Sequence, residues 1–181
     1  RIGLMEGQLP SQISISTEAG AFEWVLSDGT VHGPLKGVNQ LEASSSTLLL
    51  DGHPASYFHL RPVLAESLVQ LRAGKSYPSS HQGSLHFIVE GGRIRCILET
   101  DVDTYLQGVL SAESGKGHHP AYYAAQAIVS RTYTIQALGR HRMVGFDLCD
   151  AVHCQAYHGL GSINDTLASA VANTHDQVLV D

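Results

Sequence analysis

An α+β fold is expected for this chain, with a β-rich N-terminal part and a hairpin leading into a helical core. Three observations predict it. Short alternating apolar runs closed by Gly-containing turns fill the first sixty residues. Two β-type runs flank Gly91-Gly92, the pattern of a tight hairpin. From Tyr105 onward the apolar residues recur at spacings of three and four, which is helical periodicity.

The strands come first. Gln12-Ile13-Ser14-Ile15-Ser16 alternates strictly, and Phe22 to Leu26 forms a second run ended by Ser27-Asp28-Gly29. Leu48-Leu49-Leu50 followed by Asp51-Gly52 repeats the strand-then-turn signal. Between Pro62 and Leu71 the spacing of Leu64, Leu68 and Leu71 is helical. Tyr77 to Ser80 reads as loop, and Lys75 to Gly83 as the nearest thing to a joint. Ser84 to Val89 and Ile94 to Leu98 form the hairpin, with Cys96 as a small buried hydrophobe. The expected organisation is one domain over 1–181, with a lead-in over 1–75 and a catalytic-type core over 84–175.

A first helix follows, in which Leu106, Val109, Leu110 and Glu113 share a face. Glu99, Asp101 and Asp103 read as an exposed acidic lead-in to it. A second helix is expected from Pro120, suited to the first helical position, to about His141. Ala124, Ala125, Ile128, Thr132 and Ile135 form its expected apolar side. Tyr122, Gln126, Ser130 and Tyr133 lie on another face, and Arg131 falls between them as an ion-pair partner or a surface charge. A last helix is expected over Ile163 to His175, with Leu167, Ala170, Val171 and Thr174 on one side. Asp176 to Asp181 then begins a strand.

Bulk properties narrow the function. Of 181 residues, 43% are hydrophobic and 15% charged, which places the chain among globular proteins rather than disordered ones. A net charge of −6 with eleven Lys and Arg supplies no basic stripe for nucleic acid. No apolar run reaches the roughly 20 residues of a membrane span. Three cysteines are too few for a disulfide framework. The chain begins at Arg1, so any export signal is expected to have been removed.

Two constellations carry chemistry. Glu113, the acid on an apolar face in a helix's last turn, is expected to be poorly solvated and therefore to hold its proton. That is the property of a general acid working near neutral pH. The second is Gly145 to Leu160, where Cys149, His153 and Cys154 fall within six positions and His141 and His158 lie nearby. Thiolates and imidazoles are zinc ligands, so a tetrahedral site could form there. Two buried thiols or one short disulfide would account for the same cysteines.

Two blocks of sequence occur in order: Tyr105-Leu106, Gly108-Val109, Glu113, Gln126-Ala127 and Arg131-Thr132-Tyr133; then Cys149-Asp150, His153-Cys154-Gln155 and Tyr157. Together they make the chain resemble the bacterial stage II sporulation protein D and amidase-enhancer family, a group of peptidoglycan-active envelope proteins. The resemblance implies a lytic transglycosylase that cleaves wall glycan and leaves a 1,6-anhydro end, with Glu113 as its acid and base. A single carboxylate suffices when the substrate supplies its own nucleophile; Asp150 is the nearest second acid. The expected glycan contacts are Gln126, Arg131, Tyr133, Tyr157 and Ser114, with Tyr122 also available for stacking on sugar.

The resemblance also implies zinc at the second block, where Cys149, Cys154 and His153, with the nearby His141, are the expected ligands. It implies peptidoglycan glycan strands as partner, with a cell-wall amidase as a candidate second one, and an extracytoplasmic location in the cell envelope. A non-catalytic role, binding glycan and stimulating a cell-wall amidase, is the alternative; a structural zinc module is a third. Ser114-Gly115 and His118-His119 depart from the family's Met-Pro and Trp-Pro, which bears on the groove wall. The family domain normally runs past Val178 to Val180, so this chain is expected to lack the domain's C-terminal part.

Overall fold

The computed structural model describes residues 1–55, 57–161 and 163–180. The chain divides into two compact units, Arg1–Glu99 and Thr100–Asp181. The first unit is built from strands β1 (Ile2–Leu4), β2 (Gln12–Ala19), β3 (Phe22–Leu26), β4 (Val31–His32), β5 (Val38–Ala43) and β6 (Leu48–Leu50). It continues with β7 (His53–Ala55), β8 (Tyr57–Pro62), β9 (Leu68–Ala73), β10 (Ser79–Gln82), β11 (Ser84–Glu90) and β12 (Arg93–Glu99).

Within this unit one sheet runs in the order β1-β12-β11-β8-β3-β4 and the other β10-β9-β2-β5-β6-β7. Alternation explains both. Ile13 and Ile15 on β2 are wholly buried while the serines between them are not, and Phe22 and Trp24 on β3 bury against the half-exposed Glu23. Trp24 packs on Phe58 and Phe87 with ring centroids 5.8 Å away in each case. The expected hairpin is present: Glu90 pairs Arg93 across Gly91 and Gly92. Their φ values of 57° and 73° are the left-handed pair that a two-residue turn requires. Cys96 is fully buried on β12, as a small hydrophobe should be.

Three expectations for this unit need correction. The leucines at helical spacing do not form a helix: Leu68 to Ala73 is β9, where Val69 and Leu71 are buried at period two, and Leu64 is 51% exposed. Val69 and Leu71 supply the alternation that decides the matter, and Pro62 ends β8 just before it. The segment read as loop and joint instead carries β10, which pairs with β9 from Ser79↔Leu71 to Gln82↔Leu68.

The second unit is helical: α1 (Val102–Ser114), α2 (Pro120–Gln136) and α3 (Asp165–Asn173), with a 3-10 turn at Arg142–Val144. Each helix has a side-chain cap. Asp101 accepts from Thr104 N–H at 2.8 Å, His119 Nδ1 from Ala121 N–H at 3.2 Å, and Asn164 from Leu167 N–H at 2.9 Å. Pro120 occupies the first turn of α2 as expected. Leu106, Val109 and Leu110 bury together on α1, as do Leu167, Ala170 and Val171 on α3.

The α2 face differs from the expected one. Tyr123, Ala127, Ser130, Arg131 and Thr134 are buried, whereas Ile135 is 47% exposed. Arg131 decides this packing and is no surface charge. It donates to Asp103 Oδ1 from Nη2 at 2.8 Å, and to the carbonyls of Thr174 (2.7 Å) and Gln177 (3.2 Å) at the end of α3. A guanidinium at a helix C-terminus satisfies orphan carbonyls while countering the dipole. α2 ends at Gln136 rather than near His141, because the chain turns at Gly139 with φ 79°. The expected final strand is absent among the described residues: Leu179 N–H donates instead to Thr132 Oγ1 on α2, at 2.9 Å. Asp181 lies outside the described residues.

Candidate functional site

Glu113 is the last acid of α1, one residue before the helix ends and two before the cap at Gly115. Its Oε1 accepts a hydrogen bond from the backbone N–H of Ala156 at 3.0 Å. The two motif-bearing stretches of sequence therefore meet at this carboxyl. The side chain is exposed, so the expectation of a carboxyl enclosed by apolar neighbours is corrected. Leu106, Val109 and Leu110 do share its side of the helix, but they bury into the core one and two turns earlier, and Glu113 lies beyond them.

The loop that presents Ala156 is anchored on both sides. Gln155 is 5% exposed; its Nε2 donates to Ser130 O at 3.3 Å, and its Oε1 lies 2.7 Å from Thr134 Oγ1. Tyr105 O–H from α1 reaches the same oxygen at 3.5 Å. Burial pushes the Tyr105 phenol far up, and the neighbouring Cys154 and Glu113 push it the same way, so it remains a donor. Tyr157 lies against Gly108 so closely that a Cβ there would sit 2.3 Å from its ring. Gly108 is thus required for the loop to dock on α1.

Two of the sequence-predicted glycan contacts are placed elsewhere. Tyr157 is only 2% exposed, with its ring against Tyr105 at 5.3 Å, and no sugar can stack on it. Arg131 is equally buried and committed to Asp103 and the α3 carbonyls. Both serve packing. Tyr133 is half-buried; Arg140 donates to its hydroxyl at 2.6 Å and lies 5.4 Å from the ring centroid. Gln126 and Ser114 are partly accessible. Tyr122, 39% exposed, stacks with His118 at 4.4 Å. Asp150 is half-buried in a turn, where its carbonyl accepts from Tyr157 N–H at 3.0 Å.

His141, Cys149, His153 and Cys154 come together with their donor atoms all within 4.8 Å of one another, and this set could hold a metal ion. His158 is not part of it. His141 Nε2 is 3.3 Å from Cys154 Sγ, and His153 Nδ1 is 3.6 Å and 3.8 Å from Cys154 and Cys149. Zinc–sulfur and zinc–nitrogen bonds at the tetrahedral angle place such donors about 3.6 Å apart, so the set fits. Both cysteines are free and buried. Arg140 braces this turn by donating to His153 O at 3.1 Å.

Sequence reasoning missed three contributors. The Ala156 N–H is a backbone group and leaves no trace in residue type. Tyr123 holds the break between α1 and α2 by donating to Gly115 O at 2.9 Å; only its spacing with Ala127 and Ser130 could have marked it as buried. The acids read as an exposed lead-in have particular partners: Asp101 caps α1, Asp103 holds Arg131, and Glu99 pairs with Arg1 at 3.0 Å.

Residues 90–180 match the family described as SpoIID, stage II sporulation protein. No curated protein and no solved structure matches the chain.

Proposed function

Because the chain belongs to the SpoIID family of stage II sporulation proteins, and so has a cell-wall-related function, we propose that it is a lytic transglycosylase of peptidoglycan. The observation that supports this reading best is the Glu113–Ala156 contact, which fixes one oxygen of an exposed carboxyl where the two motif-bearing stretches meet. With Oε1 accepting the amide, the acidic proton is carried on Oε2. It passes to the glycosidic oxygen, which leaves as a hydroxyl. The muramic 6-hydroxyl oxygen then closes on C1 and gives its proton to the carboxylate, so no water is consumed and Glu113 is regenerated. A sugar polymer laid over an exposed carboxyl displaces its water, and a desolvated carboxyl favours the protonated form that general acid catalysis needs. Substrate, rather than the protein interior, supplies the apolar cover.

Tyr122 with His118, together with Tyr133, Gln126 and Ser114, are the accessible groups for holding the strand. Zinc bound by His141, Cys149, His153 and Cys154 would have all four positions filled by protein, and so would supply structural cross-linking rather than a reactive water. Its role would be to hold the loop that presents Ala156. The site of action is the cell envelope, and no helix among the described residues is long and apolar enough to cross a membrane.

The exposure of Glu113 also favours a second reading, in which the same surface binds wall glycan and stimulates a separate amidase without cleaving anything. Mass analysis of purified, peptide-stripped glycan after incubation with the chain separates the two. Anhydro-muramic ends support catalysis. Retained binding with no new ends replaces it with the binding role.

A further inference from the structure

A cavity of about 600 Å³ opens in the β unit, and none of the residues of the candidate site lines it. Its walls come from the Met5 to Gln12 segment, the end of β9 with its turn at Gly74 to Ser76, Ser79 on β10, and Arg93 at the start of β12. The walls are pinned by backbone hydrogen bonds. Gln8 N–H bonds Met5 O at 3.1 Å, Ile94 N–H bonds Pro10 O at 2.7 Å, and Ser76 N–H bonds Ala73 O at 3.1 Å. Met5 itself adopts φ 61°, which sets the turn that forms one side. A preformed cavity of this volume is in the range that small-molecule sites occupy.

Its charge is one-sided. Lys75 and Arg93 both line it, and no carboxylate does, in a chain whose net charge is −6. Arg95, two residues from Arg93, is held by Glu6 and Glu90 at 2.8 Å and 2.5 Å. Lys75 and Arg93 make no ion pair among the described residues. The lining also includes the polar side chains of Gln8, Gln12 and Ser76 and the apolar ones of Leu9 and Leu71. Two cations without an ion-pair partner among the described residues, in one cavity with amide and hydroxyl groups, suit a short peptide carrying more than one carboxylate. The volume is far larger than a lone inorganic anion fills.

We propose that this cavity binds the carboxylate-bearing peptide stems that project from wall glycan. The inference rests on the wall-glycan reading, because that reading brings stems within reach of the chain.

Calorimetric titration of the full chain with a free stem tetrapeptide, bearing its glutamate, diaminopimelate and C-terminal carboxylates, tests it. Saturable binding is expected, weakened at least about tenfold in the Lys75→Ala/Arg93→Ala double variant, since charge-assisted hydrogen bonds are lost. Both side chains are exposed, and thermal melting checks that the variant is folded. No binding by the unaltered chain, equal affinity in the variant, or equally tight binding of inorganic phosphate would each overturn the proposal. The double variant should still generate anhydro ends from peptide-stripped glycan. If those ends form but the peptide does not bind, this inference alone fails. If the peptide binds through Lys75 and Arg93 but no ends form, the cavity stands and the catalytic reading fails.

Discussion

Gly108 shows how one absent atom fixes the relation between a helix and the loop that docks on it. The Tyr157 ring occupies the space where a side chain would begin, with Gly159 O 3.1 Å from the same point. Tyr157 is itself buried and has no room to swing away. Gly108→Ala should therefore destabilise the chain by about 1–3 kcal/mol, the usual range for overpacking, read from the shift in urea midpoint. A change under about 0.5 kcal/mol would mean that the loop is free to lift off α1.

Arg131 and Asp103 are equally specific at this scale. Burial works against the Asp103 charge, but hydrogen bonds from His175 and Arg131 outweigh it and hold the carboxyl below the usual range. His175 is raised in turn, chiefly by its bond to Asp103.

Among the elements, the turn after α2 and the loop from Cys149 to Cys154 have little regular structure and depend on their side chains. Four donor atoms, those of His141, Cys149, His153 and Cys154, lie within 4.8 Å of one another and could hold a metal ion. Protein purified without chelator should contain about one zinc per chain, and Cys154→Ser should lose it and lower the melting midpoint. Less than about one-tenth zinc per chain would contradict a structural site.

This cluster was also the most legible part of the sequence. Cys and His are unusual enough at short spacing that residue type marked the stretch, and the family resemblance picked out three of the four residues, Cys149, His153 and Cys154. The β hairpin was legible for a similar reason, since Gly91-Gly92 admits few alternatives. The buried face of α2 was not. Arg131 and Ser130 are buried because partners on other segments receive them, and partners at separations of 28 and 25 residues leave no local pattern. β9 was missed because three leucines fit a helical period by coincidence while Val69 and Leu71 carried the strand period.

For the whole molecule, pH acts on the β unit through His81. It is fully buried on β10, and burial lowers its pKa from 6.5 to about 4. Its folded pKa is depressed, so the native state refuses a proton that the unfolded chain accepts. Stability is whole above about pH 6.5 and declines as pH falls toward about 4, by up to roughly 3 kcal/mol. His81→Gln should flatten the urea-midpoint profile across that window. An unchanged slope in the variant would assign the acid sensitivity to other groups.

The proposed cleavage of wall glycan rests on one carboxyl, Glu113, held by one amide. Purified, peptide-stripped glycan strands treated with the unaltered chain and with Glu113→Gln, then analysed by mass, test that claim most directly. The substituted side chain keeps the size and the contact to Ala156 but carries no acidic proton. New 1,6-anhydro ends are expected with the unaltered chain and a loss of at least about a hundredfold with the variant, the usual share of a general acid. Equal yields from the two proteins would contradict the account.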